Sequence, residues 1–304
     1  MFLIADCNKK IQKREKKIMT TSGYPPYLLE KSGKSAFPVV FASPHSGTFY
    51  PERLFSLTDL KIADFQKYED AEVDKLFSFL PAMGIPLISA VYGRAWVDLN
   101  RHPLELDPTM FSDSIPPQSR FDSARVQNGY GVIARQLNPN CLIYNKKLEF
   151  SVEQERLTRI HFPYHAALES LVKKNLTLHG RSVLIDVHSM PMLPEDRLIK
   201  GKMPDFVLGT ADGASCDSAL AVSAAEILRD MGYFVTINLP YAGAYTTLYY
   251  GRPSAHSHAL QIEIGRHLYW DAGKYAPTGG FDDLWRKLAV FVDRLLKKLP
   301  ELSL

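Results

Sequence analysis

The sequence predicts an α/β protein with a mostly parallel sheet covered by helices on both faces. Three observations lead there. Apolar runs of strand length recur along the chain, segments with helical spacing of apolar residues separate them, and no repeat or linker divides residues 35–300. The strand runs are Pro38 to Ser43, closed by Pro44, then Leu87 to Val91, Val183 to Val187, Phe206 to Leu208, Phe234 to Ile237 and Ala259 to Ile264.

Between these runs, Val73, Leu76, Phe77 and Leu80 share one helical face, and Leu157, Ile160, Tyr164, Leu168 and Leu171 share another. Ser151 with Gln154 reads as a capping-box start for the second helix, and Pro163 predicts a kink or interruption within it. An Ala-rich helix from about Ser218 to Met231 ends at Gly232, and a last helix spans about Phe281 to Leu299. Pro103 to Asn140 is polar and without periodicity, which predicts a long excursion at the rim of the sheet that helps to form a pocket.

With 304 residues, 46% of them hydrophobic and 23% charged, the chain is neither disordered, collagen-like nor a coiled coil. The formal charge of +3 is unevenly placed. Residues 1–34 hold eight Lys/Arg against three Asp/Glu, leaving 28 against 30 in the remaining 270. The folded body thus has no basic surplus, and neither a nucleic-acid nor a membrane partner is expected. Residues 1–34 read as a basic, flexible extension in which Met19 is a second candidate start, and 35–304 read as one domain. Cys7, Cys141 and Cys216 form no CxxC pair and no even framework, which suits a reducing cytoplasm. No apolar stretch approaches the roughly 20 residues of a membrane helix.

Groups of metal-ligand type stand where predicted strands end, the usual place for a site in an open α/β sheet. They are His45 in Ser43-Pro-His-Ser-Gly47, His188 in Asp186-Val-His-Ser189, and Glu263 in Gln261-Ile-Glu-Ile264. One such histidine reads as a capped or core residue. Two His-Ser pairs at two strand ends point instead to a catalytic zinc, which takes three protein ligands and keeps a fourth position open. Glu69-Asp70-Ala-Glu72 offers carboxylates, although the macrodipole alone favours acids at a helix start.

Gly93 to Arg101 reads as an alternating strand with Asp98 and Asn100 on one face, Arg101 at its end and Arg94 entering from the other side. Two arginine forks near a metal suggest an anionic substrate, with surface ion pairs as the alternative. Glu263, set between Ile262 and Ile264, needs a partner or a raised pKa. Beside an activated water it would be a general base, and a buried salt bridge is the competing reading. His165 and His258 read as structural histidines. Gly209 to Cys216 lacks the lysine of a P-loop and reads as a pocket wall, and Cys216 has no assigned base.

Together with Glu69-Asp70, Gly93-Arg94, Val97 to Arg101, Pro163-Tyr-His165, Leu208 to Cys216, Gly243 to Thr247 and His258 to Glu263, these motifs resemble the N-formylglutamate amidohydrolases, or deformylases, of histidine degradation. The resemblance covers roughly residues 36–275, and the family is in turn similar to zinc carboxypeptidases. It implies a phosphorylase/hydrolase-like fold, a three-layer α/β/α sandwich with a mixed central sheet. It also implies His45 and His188 as zinc ligands, Asn100 and Arg101 as holders of a substrate carboxylate, Glu263 as general base and Arg94 at the oxyanion.

Carboxypeptidases place a carboxylate ligand three residues after the first histidine, where this chain has Thr48. The family's aspartate falls in the Glu69-Asp70 segment, so Asp70 is the expected third ligand and Glu72 the alternative. Thr247 or Arg252 would assist Arg101, and Asp186 and Ser189 would orient His188. The expected activity is zinc-dependent hydrolysis of a small anionic N-acyl amino acid, N-formyl-L-glutamate first, with one zinc per chain. A deacylase or carboxypeptidase-like hydrolase of another N-acyl amino acid or peptide is the second reading, and a non-catalytic metal or amino-acid binding protein the third.

Overall fold

The fold comes from a computed structural model that describes residues 23–31, 36–199 and 201–302. Its central sheet has seven strands: β1 (Tyr27–Glu30), β2 (Val39–Ser43), β3 (Leu87–Ala90), β4 (Ser182–Met190), β5 (Phe206–Gly209), β6 (Val235–Ile237) and β7 (Ser257–Gly265). They lie in the order β1-β3-β2-β4-β7-β5-β6. The run β3, β2, β4, β7 is parallel, while β1 on β3 and β5 on β7 are antiparallel, so the sheet is mixed. The strands between Val39 and Gly265 all fall within or beside the predicted apolar runs.

Alternation along β4 and β7 sets the layers. Val183, Ile185 and Val187, with Leu260, Ile262 and Ile264, face one core, which is completed by the helices Ser218–Asp230 and Phe281–Lys298. Leu184 and Ala259 face the other core, completed by the helix Phe162–His179 and by Leu106, Met110, Phe111, Val132 and Ile133. Those last five belong to the excursion at 103–140. It is therefore not only a polar rim, because its scattered apolar residues cover the second face of the sheet.

Two further expectations change, and a third is not tested. Tyr27–Glu30, inside the expected extension, is an edge strand, because Tyr27 and Leu29 pack against the second core. The basic run Lys9 to Lys17 and Met19 lie outside the described residues. Gly93 to Arg101 is not a strand. Trp96 and Val97 turn back onto the Gly93 carbonyl, and Asp98 Oδ1 accepts the Asn100 N–H at 2.9 Å, a local bond that competes with extended pairing.

The predicted cap at Ser151 is also replaced. Asp113, from the excursion, accepts the N–H groups of Phe150 and Ser151 at 2.5 and 2.9 Å, so the helix starts at Phe150 and Ser151 lies inside its first turn. Pro163 does not break it. Residues Leu157–His161 widen into a π turn just before the proline, and the helix continues to His179. No helix among the described residues is long and apolar enough to cross a membrane.

Candidate active site

Along the second face of the sheet, the side chains change from apolar to polar as the parallel strands approach their C-terminal ends. Leu184 is followed by Asp186 and His188, and Ala259 by Gln261 and Glu263, with His188 directly opposite Glu263. His45 lies two residues past β2. The turn that carries it runs against the backbone at Tyr92, where a Cβ on Gly47 would sit 2.2 Å from the Tyr92 carbonyl oxygen, so glycine is required. The Asp70 N–H donates to the His45 carbonyl at 3.0 Å and so joins two distant segments.

One nitrogen each of His45 and His188 and one oxygen of Asp70 lie within 4.8 Å of one another, all buried. His188 Nδ1 is 2.9 Å and His45 Nδ1 3.5 Å from the same atom, Asp70 Oδ2. Their other nitrogens are held from behind, His45 Nε2 by Asp98 Oδ1 at 2.6 Å and His188 Nε2 by Asp186 Oδ2 at 3.0 Å. Carboxylates on both Nε2 atoms turn both Nδ1 atoms toward Asp70. His45 Nδ1 is buried and makes no hydrogen bond among the described residues. An orphaned imidazole nitrogen beside a second imidazole and a carboxylate is a donor set suited to zinc.

Burial opposes ionisation of Asp70, yet the hydrogen bond from His188 and the nearby His45 ring outweigh it and hold the carboxyl well below its usual range. Asp98 is likewise held low, against burial, by the charges of His45, Arg101 and Arg94. Glu263 behaves in the opposite way. Burial, only partly countered by His188, pushes it up to about 7, a value suited to gaining and losing a proton near neutrality. Its Oε1 accepts from Gln261 Nε2 at 3.1 Å.

A cavity of about 460 Å³ opens on this cluster. His45, Asp70, Arg94, Asn100, Arg101, His188, Ser189 and Glu263 all line it, as expected candidates. Arg94 pairs with Asp98 at 3.0 Å, and its buried Nε has no partner among the described residues. Asn100 is a strut more than an open carboxylate donor, since Oδ1 accepts the Thr246 N–H at 2.8 Å and Nδ2 donates to Asp186 at 3.2 Å. Ser189 touches Arg266, not His188.

Three candidates stand apart. Thr247 closes a local ring with the Ala244 N–H and carbonyl, both at 2.9 Å, and is buried away from the cavity. Arg252 is exposed beside Tyr249. Glu72 starts the helix Val73–Leu76 with a positive φ of 53° and turns its carboxylate to Lys75 Nζ at 2.8 Å, so it does not reach the metal cluster. Gly209 to Cys216 is not itself the wall. Gly209 backs closely onto Ala242, and the wall is Pro240 to Ala244. Burial pushes the Cys216 thiol up to about 12, which leaves it unreactive.

His165 and His161 are structural, but they support the site. Nε2 of His165 lies 2.9 Å from the Leu99 carbonyl, and Nε2 of His161 is 2.9 Å from that of Arg101, so together they brace the segment that carries Asn100 and Arg101. Asp98, which alternation in the sequence groups with Asn100, is the partner of His45, a contact that no local pattern signals. Arg266 joins the site as well: its guanidinium ties Ser189 at 3.0 Å, Asp70 at 3.4 Å and the Glu69 carbonyl together. Nothing in the sequence around Arg266 signals that role.

A mixed sheet between two helical layers, with a polar cluster at the ends of its parallel strands, defines an α/β sandwich hydrolase. The chain belongs to the N-formylglutamate amidohydrolase family, whose model matches residues 37–270. It is 28% identical over 272 residues to the N-formylglutamate deformylase of Pseudomonas aeruginosa, covering 86% of this chain and 92% of that protein. The Pseudomonas putida deformylase matches at 28% over 270 residues, with the same coverage. In structure, the chain is similar to the N-formylglutamate amidohydrolase of Ralstonia eutropha JMP134, with a TM-score of 0.85 and 32% identity over 91% of this chain and 99% of that one. A gene product of Agrobacterium tumefaciens shares the fold, with a TM-score of 0.67 and 16% identity over 91% of this chain and 96% of that one.

Proposed function

We propose that the protein hydrolyses the amide bond of an N-acyl amino acid, specifically N-formyl-L-glutamate to formate and L-glutamate. The observation that carries this reading is Glu263, a carboxyl poised near 7, facing the same cavity as the His45, Asp70, His188 donor set and two arginines. The named activity of the Pseudomonas and Ralstonia relatives supports the choice of substrate.

His45, Asp70 and His188 would hold a zinc ion, which when bound supplies a Lewis acid and lowers the pKa of water toward neutrality. Glu263 accepts the proton of the attacking water on its carboxylate and returns it to the leaving nitrogen. Arg94, kept in place by Asp98, offers its free Nε–H to the oxygen that becomes negative as the formyl carbon turns tetrahedral. Arg101, fixed by the Tyr130 and Asn100 carbonyls at 3.0 and 2.8 Å, binds a substrate carboxylate and sets the reacting geometry. On this reading the chain works in histidine degradation, in a reducing cytoplasm that suits its unpaired Cys141 and Cys216. The test is formate release from N-formyl-L-glutamate by purified protein, with metal content measured on the same sample.

A further inference from the structure

Five cationic side chains line the cavity: Lys67, Arg94, Arg101, Arg125 and Arg266. Three have carboxylate partners, Arg94 on Asp98 and Asp70, Arg266 on Asp70, and Lys67 on Asp64. Arg101 and Arg125 differ. Their hydrogen bonds go to neutral carbonyls, Arg101 to Tyr130 and Asn100, and Arg125 to Gly243 at 3.0 Å. The nearest acids are engaged elsewhere. Glu105 accepts the His102 N–H and the Ser123 hydroxyl, and Asp98 serves His45, Arg94 and the Asn100 N–H.

The two guanidiniums also sense each other. Burial comes first and the charge of Arg101 second among the causes that push Arg125 below its usual range. Arg125 stands on the short helix Ala124–Gln127 of the excursion and reaches across the cavity to the wall at Gly243. Two guanidiniums that make no hydrogen bond to a carboxylate repel each other beside one small cavity, and an anion bound between them removes that cost. A ligand with one carboxylate satisfies only one fork.

We propose that Arg125 is a specificity-determining residue: it receives the second carboxylate of a dicarboxylate ligand whose first carboxylate lies on Arg101, so the cavity selects acyl-amino acids with an acidic side chain. This deepens the proposed function, and it rests on the substrate being an N-acyl amino acid. A cavity of about 460 Å³ suits a ligand of that size.

The test compares wild type with Arg125→Ala and Arg125→Lys. Direct titration with glutarate and with butyrate reads the charge site without any turnover. Wild type should bind glutarate more tightly than butyrate. In Arg125→Ala, glutarate binding should weaken by about 10- to 100-fold and butyrate binding by far less, while Arg125→Lys recovers part of the loss because charge returns without the fork. The ratio of kcat/KM for N-formyl-L-glutamate over N-formyl-L-glutamine should shrink by a similar factor in Arg125→Ala. An unchanged glutarate-to-butyrate preference in an Arg125→Ala protein with wild-type thermal unfolding would overturn the proposal, as would equal losses for both ligands. If wild type hydrolyses neither substrate yet prefers glutarate, the proposed reaction fails and the dicarboxylate site stands. If it hydrolyses N-formyl-L-glutamate without preferring glutarate, the reverse holds.

Discussion

His188 Nδ1 and Asp70 Oδ2 stand 2.9 Å apart across 118 residues of chain, and His45 Nδ1 faces the same oxygen. Three donor atoms from three segments thus converge on one point, which no sequence spacing encodes. Asp70 is the one carboxylate of this donor set, and the oxygen both imidazoles face is its own. Asp70→Ala is expected to abolish retention of a divalent ion, and Glu72→Ala to leave it unchanged, because Glu72 turns to Lys75. Metal analysis after exhaustive dialysis checks both. Equal retention by Asp70→Ala and wild type would move the ligand set elsewhere.

Asp98 supports two groups at once, His45 Nε2 at 2.6 Å and Arg94 Nη2 at 3.0 Å. Replacing a carboxylate behind a ligating histidine typically costs about 10- to 100-fold in metal affinity. Asp98→Ala should therefore lower metal affinity by that factor in a competition with a chelator, and it should reduce turnover further by freeing Arg94. A variant that keeps full affinity would show that the carboxylate does not orient His45.

Glu263 is next to His188 across the β4–β7 register but outside the metal cluster. Glu263→Gln keeps its shape and removes its ability to accept a proton. Turnover is expected to fall by about 100- to 10,000-fold, the usual range for a general base, with metal content unchanged. Full activity in this variant would remove Glu263 from the reaction.

The braces of the arginine segment make the protein acid-sensitive. Burial pushes His161 down to about 4 and, first among its causes, pushes His165 down to about 3. An unfolded chain protonates these rings near 6.5. Between about 6.5 and 4 the unfolded state therefore binds more protons, so the stability these neutral rings contribute is complete above 6.5 and is lost as pH falls toward 4. For His161 alone the loss reaches roughly 3 kcal/mol. Chemical unfolding from pH 7.5 to 4.5 should show a flatter pH dependence in His161→Phe than in wild type, and identical slopes would contradict this origin.

Much of this was legible in the sequence because the signals were local. Apolar runs mark strands that are buried on both faces, so six of the seven strands of the central sheet can be read, and His-Ser pairs at two strand ends mark two of the three members of the metal cluster. β1 was missed because Tyr27–Glu30 is a half-buried edge beside a strongly basic stretch, whose charge dominates its composition. Gly93 to Arg101 reads as a strand because Asp98 and Asn100 alternate as strand residues do, while in the fold Asp98 bonds locally and holds a turn and Asn100 reaches the distant Thr246. Thr247 sits in the right neighbourhood, but its hydroxyl is spent on its own helix start. Arg266 and Arg125 acquire their places only through the fold, one from behind Asp70 and the other from the far wall of the cavity.

The central claim is best tested by one measurement: kcat/KM for formate release from N-formyl-L-glutamate beside N-acetyl-L-glutamate and a glutamate-terminated dipeptide, on protein of known metal content. The expected result is a clear preference for N-formyl-L-glutamate, lost when the metal is removed and restored when zinc is returned. Equal or greater activity on the dipeptide or the acetylated substrate, or full activity in metal-stripped protein, would contradict it.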